Sequence, residues 1–180
     1  EADFVIEAVV EDAGVKKEMF ASLDRLCPAH AILASNTSYL DIFKFVETRR
    51  PDKVIITHWF APPHIVPLVE IVRGPQTSSE TVAAVRDLMI GIGKKPIVIS
   101  KFLPGFIANR LQSALNREVL FLLDNGYAGA EDIDGRDHPL HRLVVRLVQR
   151  VARRRGDHGL EPAGDVHGGE AGDHVDGGEV

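Results

Sequence analysis

The sequence predicts an α/β fold in which helices pack on a doubly wound sheet, followed by the start of a helical domain. Short apolar runs rich in β-branched residues recur between residues 4 and 100, and their lack of alternation is typical of strands buried on both faces. Amphipathic helical stripes separate these runs. After Pro104-Gly105, a long and largely apolar segment replaces the alternation and indicates a helix in a second layer.

The strands and helices can be assigned in chain order. The five predicted strands are Phe4–Val10, Ala31–Ala34, Val54–Thr57, Leu68–Val72 and Pro96–Ser100. The first helix carries the stripe Val15, Met19, Leu23 and Leu26 and ends before Pro28, and the second carries Val82, Val85, Leu88, Met89 and Ile92. Thr77-x-x-Glu80 has the spacing of a capping box for the second helix, which is expected to end near Gly93. Further helices are expected from about Asp41 and over Phe106–Leu123, the latter ending at Asn125-Gly126.

Charge and cysteine content argue against several classes of protein. The net charge of −5 comes from interspersed acidic and basic residues, which argues against a nucleic acid as the partner. Cys27 is the only cysteine, so neither a disulfide framework nor a thiolate metal site is expected, and a reducing cytoplasm or organelle matrix fits. No apolar run reaches the ~20 residues of a membrane span, so no membrane partner is expected.

Both ends of the chain are unusual. The sequence opens at Glu1-Ala2-Asp3 and enters an apolar run at once, which we interpret as an N-terminal truncation. From Gly135 to Val180 only ten residue types occur, largely those with GC-rich codons, and we interpret residues 135–180 as an atypical tail that is frame-shifted or disordered. The alternative is a genuine tail behind a basic amphipathic helix over Leu140–Val151, which would lie on a membrane or a partner.

Polar residues end the first three predicted strands. Glu7, Ala8 and Glu11 end the first apolar run, Ser35-Asn36-Thr37-Ser38 follows the second, and His58 follows the third. Ligands of open α/β sheets bind at the carboxyl ends of the strands. If these strands are parallel, the three groups therefore lie along one edge of the sheet.

His58 and Glu70 are candidates for acid–base chemistry. Histidine is suited to proton transfer at neutral pH, although a single histidine at a strand end is more often structural. Glu70 lies in an apolar strand, where burial of an unpaired carboxylate is costly, so His58 is a natural partner for it. The alternative is that Glu70 faces solvent on an edge strand.

The remaining polar candidates have two interpretations. Ser35–Ser38 either caps the helix expected near Asp41, which is the commoner role, or hydrogen-bonds a substrate oxygen. Asn109, near the start of the apolar helix, is either a satisfied core amide or a site residue. The only Gly-x-Gly sequence, Gly91-Ile92-Gly93, leads from a helix into a strand, whereas a dinucleotide-binding loop leads from a strand into a helix.

Five stretches, taken together and in this order, resemble the 3-hydroxyacyl-CoA dehydrogenase family over residues 1–134. They are Asp3–Glu11, Ala34–Ser38, His58-Trp59-Phe60, Leu68–Val72 and Pro104–Arg110. The resemblance implies that residues 1–100 form the C-terminal part of an NAD-binding Rossmann-type domain lacking its first strands. Residues 101–134 would begin a helical substrate and dimerisation domain. The glycine loop and the acidic residue that binds the ribose would precede Glu1.

The resemblance also implies a role for each matching residue. His58 takes the proton from the 3-hydroxyl while hydride passes to NAD, and Glu70 orients and charge-stabilises His58. Ser38 and Asn109 hold the hydroxyl or carbonyl oxygen of the substrate. The implied cofactor contacts are Ala8, Glu11, Lys16 and Ser38, and no metal is implied.

The implied activity is the interconversion of a (3S)-3-hydroxyacyl-CoA and a 3-oxoacyl-CoA with NAD, as in fatty-acid β-oxidation or 3-hydroxybutyryl-CoA metabolism. The intact enzyme would be a homodimer. This chain alone would be an inactive fragment, because it has no glycine loop. Ala61 stands where the family often has Asn, which leaves open a non-CoA 3-hydroxy acid such as gulonate as the substrate. A crystallin-like structural role is also open, although retention of His58, Glu70 and Ser38 favours an enzyme.

Overall fold

The computed structural model describes residues 2–133. Its strands are β1 (Phe4–Glu7), β2 (Ile32–Ser35), β3 (Val54–Trp59), β4 (Leu68–Val72) and β5 (Lys95–Ile99). Its α-helices are α1 (Ala13–Leu26), α2 (Ser79–Gly91), α3 (Ala108–Asp124) and α4 (Ala130–Ile133), and 3₁₀ turns lie at Ile42–Lys44 and Pro51–Lys53. All five predicted strands are therefore present, with shifted ends.

The strands form one mixed sheet in the order β1-β2-β3-β4-β5. β1, β2 and β3 are parallel, β4 runs antiparallel to β3, and β5 runs parallel to β4. The direction reverses at β4 because the connection from Trp59 to Leu68 is shorter than the roughly a dozen residues of a parallel crossover. The predicted α/β class with a partial doubly wound sheet is confirmed, and the reversal places the beginning of β4 beside the end of β3.

Hydrophobic clusters cover both faces of the sheet. One comprises Phe20, Leu33, Ile42, Val54, Ile56, Val72, Ile99 and Phe106, and the other comprises Ala34, Ile55, Val69, Ile71, Val85 and Met89. Consecutive residues such as Ile55 and Ile56 belong to opposite clusters, as the period of a strand requires. Burial on both faces is therefore confirmed for the central strands, whereas Ile97 and Val98 of β5 stay partly exposed.

The buried face of α1 differs from the predicted apolar stripe. The helix buries Lys16, Phe20 and Asp24. Leu26, which the predicted stripe includes, is 82 % exposed. The prediction is wrong at this position because apolar periodicity does not detect charged side chains that find partners inside the protein, as Lys16 does with Glu7.

Two predicted helix starts are also wrong. α2 is capped by Ser78, whose hydroxyl accepts the N–H of Thr81 at 3.0 Å, and not by Thr77. The Thr77 hydroxyl is engaged elsewhere, since it donates to the carbonyl oxygen of Val54 at 2.6 Å. Near Asp41 the chain forms only the 3₁₀ turn, and the Asp41 side chain makes no capping hydrogen bond.

α3 begins later than predicted, at Ala108, because Gly105 (φ +75°) and Phe106 (φ +49°) adopt left-handed backbone conformations that interrupt the helix. Its apolar residues Leu111, Leu115, Leu120 and Phe121 are exposed. None of the helices within residues 2–133 combines the length and the apolar character that crossing a bilayer requires.

Residues 1–121 form one compact unit, and a second unit begins at Leu122. In the second unit, α3 ends at the predicted place. Gly126 has φ +67°, and the N–H of Tyr127 bonds to the carbonyl oxygen of Leu122 at 3.0 Å, as in a Schellman motif. The predicted domain boundaries, 1–100 and 101–134, stay predictions. The predicted tail at 135–180 lies outside the described residues.

Candidate active site

β3 and β4 bring His58 and Glu70 together. The two residues are direct partners in the antiparallel ladder, and Nδ1 of His58 lies 2.9 Å from Oε2 of Glu70. Both are buried, with His58 5 % and Glu70 0 % exposed. Because a carboxylate only accepts hydrogen bonds, Nδ1 carries the proton in the neutral imidazole, and the lone pair is then on Nε2. The predicted pairing and its hydrogen-bond distance are confirmed.

The other carboxylate oxygen of Glu70 holds the start of α3. Oε1 accepts the backbone N–H groups of Ile107 and Ala108, each at 2.9 Å. Unpaired amides and the helix dipole favour an anion at this end of a helix. Glu70 therefore fixes both the imidazole ring of His58 and the segment that leads directly into Asn109.

Aromatic rings flank His58 but leave one of its nitrogens available. The ring of Phe60 lies 4.6 Å from the imidazole in an edge-on arrangement, and the ring of Phe106 lies 5.2 Å away. Nε2 has no hydrogen-bond partner among residues 2–133. The rings and Glu70 restrict rotation of the imidazole, so the nitrogen with the free lone pair keeps a fixed direction.

Asn36 links the ends of three neighbouring parallel strands. Its side-chain oxygen accepts the backbone N–H of Trp59, the residue after His58, at 2.9 Å. The backbone N–H of Asn36 donates to the carbonyl oxygen of Glu7 at 2.8 Å. The predicted meeting of these polar groups at one edge of the sheet is therefore confirmed. Asn36 also helps to fix the strand end that carries His58.

Glu11 holds the loop that carries Ser38. Its Oε1 accepts the Thr37 hydroxyl at 2.6 Å, the N–H groups of Ser38 and Tyr39 at 2.9 Å each, and the N–H of Leu40 at 3.3 Å. Burial by itself would raise the pKa of Glu11, but these hydrogen bonds together lower the pKa below its ordinary value. The hydroxyl of Ser38 has no partner in the described part of the chain.

Lys16 lies between two carboxylates and is fully buried. Its Nζ lies 2.6 Å from Oε1 of Glu7, 3.4 Å from Oε2 of Glu11 and 3.3 Å from the carbonyl oxygen of Val9. The ammonium group donates hydrogen bonds to Glu7 and to Val9, whereas Glu11 is an ion-pair partner. The predicted contact of Lys16 with a cofactor stays a prediction. In this structure Lys16 pairs with Glu7 and Glu11 at the carboxyl edge of the sheet.

Ala8, Ser38 and Asn109 present small or unpartnered groups at the ends of their elements. Ala8 is exposed directly after β1. Ser38 and Asn109 are half-buried, and neither side chain has a hydrogen-bond partner within residues 2–133. The Ser38 hydroxyl and the Asn109 amide can each donate or accept a further hydrogen bond. Residues 2–133 contain no group of three His, Cys, Asp or Glu side chains able to hold a metal ion.

Three residues organise this edge although the sequence predicted no individual site role for them: Glu7, Ser35 and Asn36. Glu7 accepts the hydroxyl of Ser35 at 2.8 Å, and Asn36 holds the end of β3. The sequence signal for Glu7 is the one that identified Glu70, a carboxylate in an apolar strand that needs an internal partner. No sequence signal separates Ser35, which donates its hydroxyl to the protein, from Ser38, which leaves its own available.

Comparisons with known proteins identify the family of this chain. Residues 1–102 match the family described as "3-hydroxyacyl-CoA dehydrogenase, NAD binding domain". The chain is 41 % identical over 150 residues to the probable 3-hydroxybutyryl-CoA dehydrogenase of Bacillus subtilis (strain 168), a match that covers 80 % of this chain and 52 % of that protein. It is 40 % identical over 134 residues to 5-formyl-3-hydroxy-2-methylpyridine 4-carboxylate 5-dehydrogenase of Mesorhizobium japonicum, a match that covers 74 % and 43 %.

A solved structure is similar as well. The crystal structure of 3-hydroxybutyryl-CoA dehydrogenase from Escherichia coli K12 matches with a TM-score of 0.69 and 37 % identity, over 72 % of this chain and 28 % of that chain. The chain spans about half the length of the curated relatives that it matches. The similarity therefore concerns the family and the fold of the shared segment.

Proposed function

This chain belongs to the 3-hydroxyacyl-CoA dehydrogenase family, and on that basis we propose that its protein interconverts a (3S)-3-hydroxyacyl-CoA and a 3-oxoacyl-CoA with NAD. The observation that carries the proposal is the buried His58–Glu70 pair, which leaves Nε2 of His58 available at the carboxyl edge of the parallel strands. Oxidation of the secondary alcohol removes a proton from its hydroxyl and a hydride from its carbon. The products are a ketone, a reduced nicotinamide and one proton.

His58 is the proposed general base. Its Nε2 accepts the proton of the 3-hydroxyl, and the imidazolium that forms carries an N–H at both nitrogens. Glu70 accepts the Nδ1–H before and after this transfer, so it sets the reactive tautomer first and then compensates the positive charge. The amides of Ile107 and Ala108 keep the carboxylate of Glu70 in place during both stages.

Ser38 and Asn109 are the proposed ligands of the reacting oxygen. Ser38 lies in the loop that Glu11 clamps, and Asn109 follows the amides that Glu70 binds. Both side chains are therefore attached to segments whose backbones are held by buried or partly buried carboxylates. Hydrogen bonds from the Ser38 hydroxyl and the Asn109 amide would stabilise the oxygen as its charge changes during hydride transfer.

Ala8, Glu11, Lys16 and Ser38 are the proposed NAD contacts, and NAD when bound accepts the hydride from the substrate carbon. Ala8 leaves room for a ring at the end of β1. Glu11 is 37 % exposed at its side chain, and its Oε2 has only Lys16 as a partner among the described residues, at 3.4 Å. That oxygen retains the capacity to accept a hydrogen bond from a cofactor hydroxyl.

The proposal extends to the assembly and compartment that the family resemblance implies. We expect a homodimer in the full-length protein and a reducing compartment, either the cytoplasm or an organelle matrix. The interspersed charges argue against a nucleic acid as the partner, and the single Cys27 fits a reducing compartment.

The proposed base is tested by substituting His58→Gln in the protein at its natural full length. We expect turnover of 3-hydroxybutyryl-CoA, followed as NADH absorbance, to fall by about 10²- to 10⁴-fold, as for a lost general base. His30→Gln is the matched control, because His30 is 60 % exposed at its side chain and pairs with Asp3 at the surface. Equal turnover by the His58→Gln and His30→Gln proteins would contradict the proposed role of His58.

A second candidate is the oxidation of a free hydroxy acid that carries no CoA. Two observations favour it: Ala61 lies exposed in the loop after β3, and the Mesorhizobium japonicum relative is named for a pyridine carboxylate. The comparison of 3-hydroxybutyryl-CoA with free 3-hydroxybutyrate and gulonate in the same assay separates the two. A higher kcat/KM for either free acid would overturn the assignment of a thioester substrate while leaving the dyad in place.

A further inference from the structure

The carboxyl edge of the sheet contains three charged residues that the proposed proton transfer does not use. Glu7, Lys16 and Glu11, called here the edge triad, form one chain of ion pairs behind the loop that carries Ser38. We propose that Glu7 is a positioning residue that acts through Lys16 to keep Glu11 on this loop and thereby fixes Ser38. The proposal rests on the proposed function, in which Ser38 contacts the reacting groups.

Glu7 connects three elements through one buried side chain. It is 4 % exposed, and its Oε1 accepts the N–H of Val9 at 3.0 Å and the ammonium group of Lys16 at 2.6 Å. Its Oε2 accepts the hydroxyl of Ser35 at 2.8 Å. The carboxylate therefore joins the end of β1 to α1 and to the end of β2, and each of its oxygens has a protein partner.

The charge of Glu7 decides what Glu11 does. A buried ammonium group needs an anion beside it, and Lys16 has two, at 2.6 Å in Glu7 and at 3.4 Å in Glu11. Because Glu7 is the closer partner, Glu11 can direct its Oε1 to the hydroxyl of Thr37 and to the amide of Ser38. Without the charge of Glu7, Lys16 would attract Glu11, its remaining anionic partner among residues 2–133, and draw it away from the loop.

The expected consequence is a displaced Ser38 hydroxyl and not an unfolded protein. Glu7→Gln keeps the size of the side chain and retains hydrogen-bonding atoms for Val9 and Ser35, so the main loss is the negative charge. A displacement of a reacting group by about 1 Å can cost on the order of 100-fold in rate. We therefore expect kcat/KM of the full-length protein to fall by about 10- to 100-fold.

Amide hydrogen exchange tests the positioning without using activity. In the 180-residue chain, Glu7→Gln should speed the exchange of the Ser38, Tyr39 and Leu40 amides by about tenfold, because all three donate to Oε1 of Glu11. The amides of α2, which do not touch the edge triad, should keep their rates. Unchanged exchange at residues 38–40 would overturn the proposal.

A second variant separates positioning from general destabilisation. Glu7→Gln combined with Lys16→Met removes both buried charges, so no ammonium remains to attract Glu11. Exchange of the amides at residues 38–40 should then return to within about threefold of the wild-type rate. Exchange as fast as in Glu7→Gln alone would show that Glu7 acts only on stability, and would overturn the proposal.

A double-mutant cycle in the full-length protein provides the kinetic test. If Glu7 acts through Ser38, Ser38→Ala should cost clearly less in kcat/KM in the Glu7→Gln background than in the wild type, and additive effects would overturn the proposal. Asp24→Asn is the matched control, a buried carboxylate of α1 that belongs to no part of the proposed site. A wild-type protein with no dehydrogenase activity would refute the proposed function, whereas the exchange measurements would still decide the role of Glu7.

Discussion

Two buried carboxylates of this protein do different work at opposite edges of the sheet. Asp24 lies on α1 near the amino ends of the parallel strands and accepts hydrogen bonds from the Thr48 hydroxyl at 2.7 Å and from the Arg50 guanidinium at 3.0 Å. Glu70 lies at the carboxyl edge and binds the ring of His58 and the start of α3. Both side chains are satisfied, so burial alone does not reveal which one takes part in chemistry.

The two carboxylates differ in what their partners, Arg50 and His58, bind in turn. Arg50 directs its remaining donors to the carbonyl oxygens of Asp24, Cys27 and Pro28 at the end of α1. Its network therefore closes on the protein itself. His58, by contrast, keeps Nε2 without a partner in the described part of the chain. A closed network stabilises the fold, whereas an open one presents a reactive atom in a fixed direction.

The largest expected effect comes from Glu70→Gln at the open network. The amide oxygen of Gln can still accept the N–H groups at the start of α3, which leaves the amide NH₂ facing Nδ1 of His58. Because the NH₂ group donates, it favours the tautomer with the proton on Nε2, which cannot act as a base. We expect kcat of the full-length protein to fall by about 10²- to 10⁴-fold, as measured by NADH absorbance.

The Glu70→Gln protein should bind NAD with an affinity close to that of the wild type, as measured by calorimetry. This control separates a defect in proton transfer from loss of the cofactor site. A kcat within about threefold of the wild type would show that the carboxylate of Glu70 is needed only for the start of α3.

Asp24→Asn at the closed network should have the opposite profile. The substitution removes the charge that Arg49 and Arg50 share, so the free energy of unfolding should fall by about 1.5–3 kcal/mol. We expect kcat to stay within about twofold of the wild type, because no atom of this network reaches His58. Urea denaturation and the NADH assay on the same preparation check both parts, and a large loss of kcat would break the comparison between the two edges.

The open network was predictable because it combines two simple signals. A carboxylate in the apolar strand of Glu70 required a partner, and the short connection after Trp59 allowed His58 to pair with it across an antiparallel ladder. The same rule applies to Glu7, whose partner Lys16 lies on a helix. Pairing across a sheet can be read from strand spacing, whereas pairing between a strand and a helix depends on how the helix packs.

The errors in the predicted fold have a related cause. The stripe predicted for α1 includes Leu26 and omits Lys16 and Asp24, because residue hydropathy carries no information about a charged partner elsewhere in the chain. Thr77 and Ser78 are equally good capping residues by type. In the folded protein the Thr77 hydroxyl donates to the carbonyl oxygen of Val54 and accepts the N–H of Gly74, which leaves the cap to Ser78.

A smaller effect distinguishes Ser35, the last residue of β2, from Ser38 in the loop that follows. Ser38→Ala should lower kcat/KM by about 10- to 100-fold and change the free energy of unfolding by less than about 0.5 kcal/mol, because the Ser38 hydroxyl has no partner within residues 2–133. Ser35→Ala should lower the free energy of unfolding by about 1–3 kcal/mol, since it leaves Oε2 of the buried Glu7 without its donor. Thermal denaturation and steady-state kinetics on both variants check the contrast. Equal stability losses would show that Ser38 is as structural as Ser35.

The smallest expected effect is a pH dependence of stability that belongs to the closed network. Burial by itself would raise the pKa of Asp24, but hydrogen bonds from Thr48, Arg49 and Arg50 hold the pKa well below its ordinary value in the folded protein. In the unfolded chain the carboxyl group titrates near its ordinary pKa of about 3.9. As the pH falls, the unfolded state therefore takes up the proton first, and the stabilisation by Asp24 is complete above roughly pH 5 and declines below it.

The difference in unfolding free energy between the wild type and Asp24→Asn should accordingly be constant from pH 7 to about pH 5 and shrink by about 1 kcal/mol by pH 3. Urea denaturation of both proteins across this range measures it, and the subtraction cancels the titration of carboxyl groups that the two proteins share. Glu47→Gln is a suitable control, because Glu47 pairs with Lys17 at the surface and its side chain is 82 % exposed. A difference that grows as the pH falls would mean that the arginines do not hold Asp24 in its charged form. The proposed closed network around Asp24 would then be wrong.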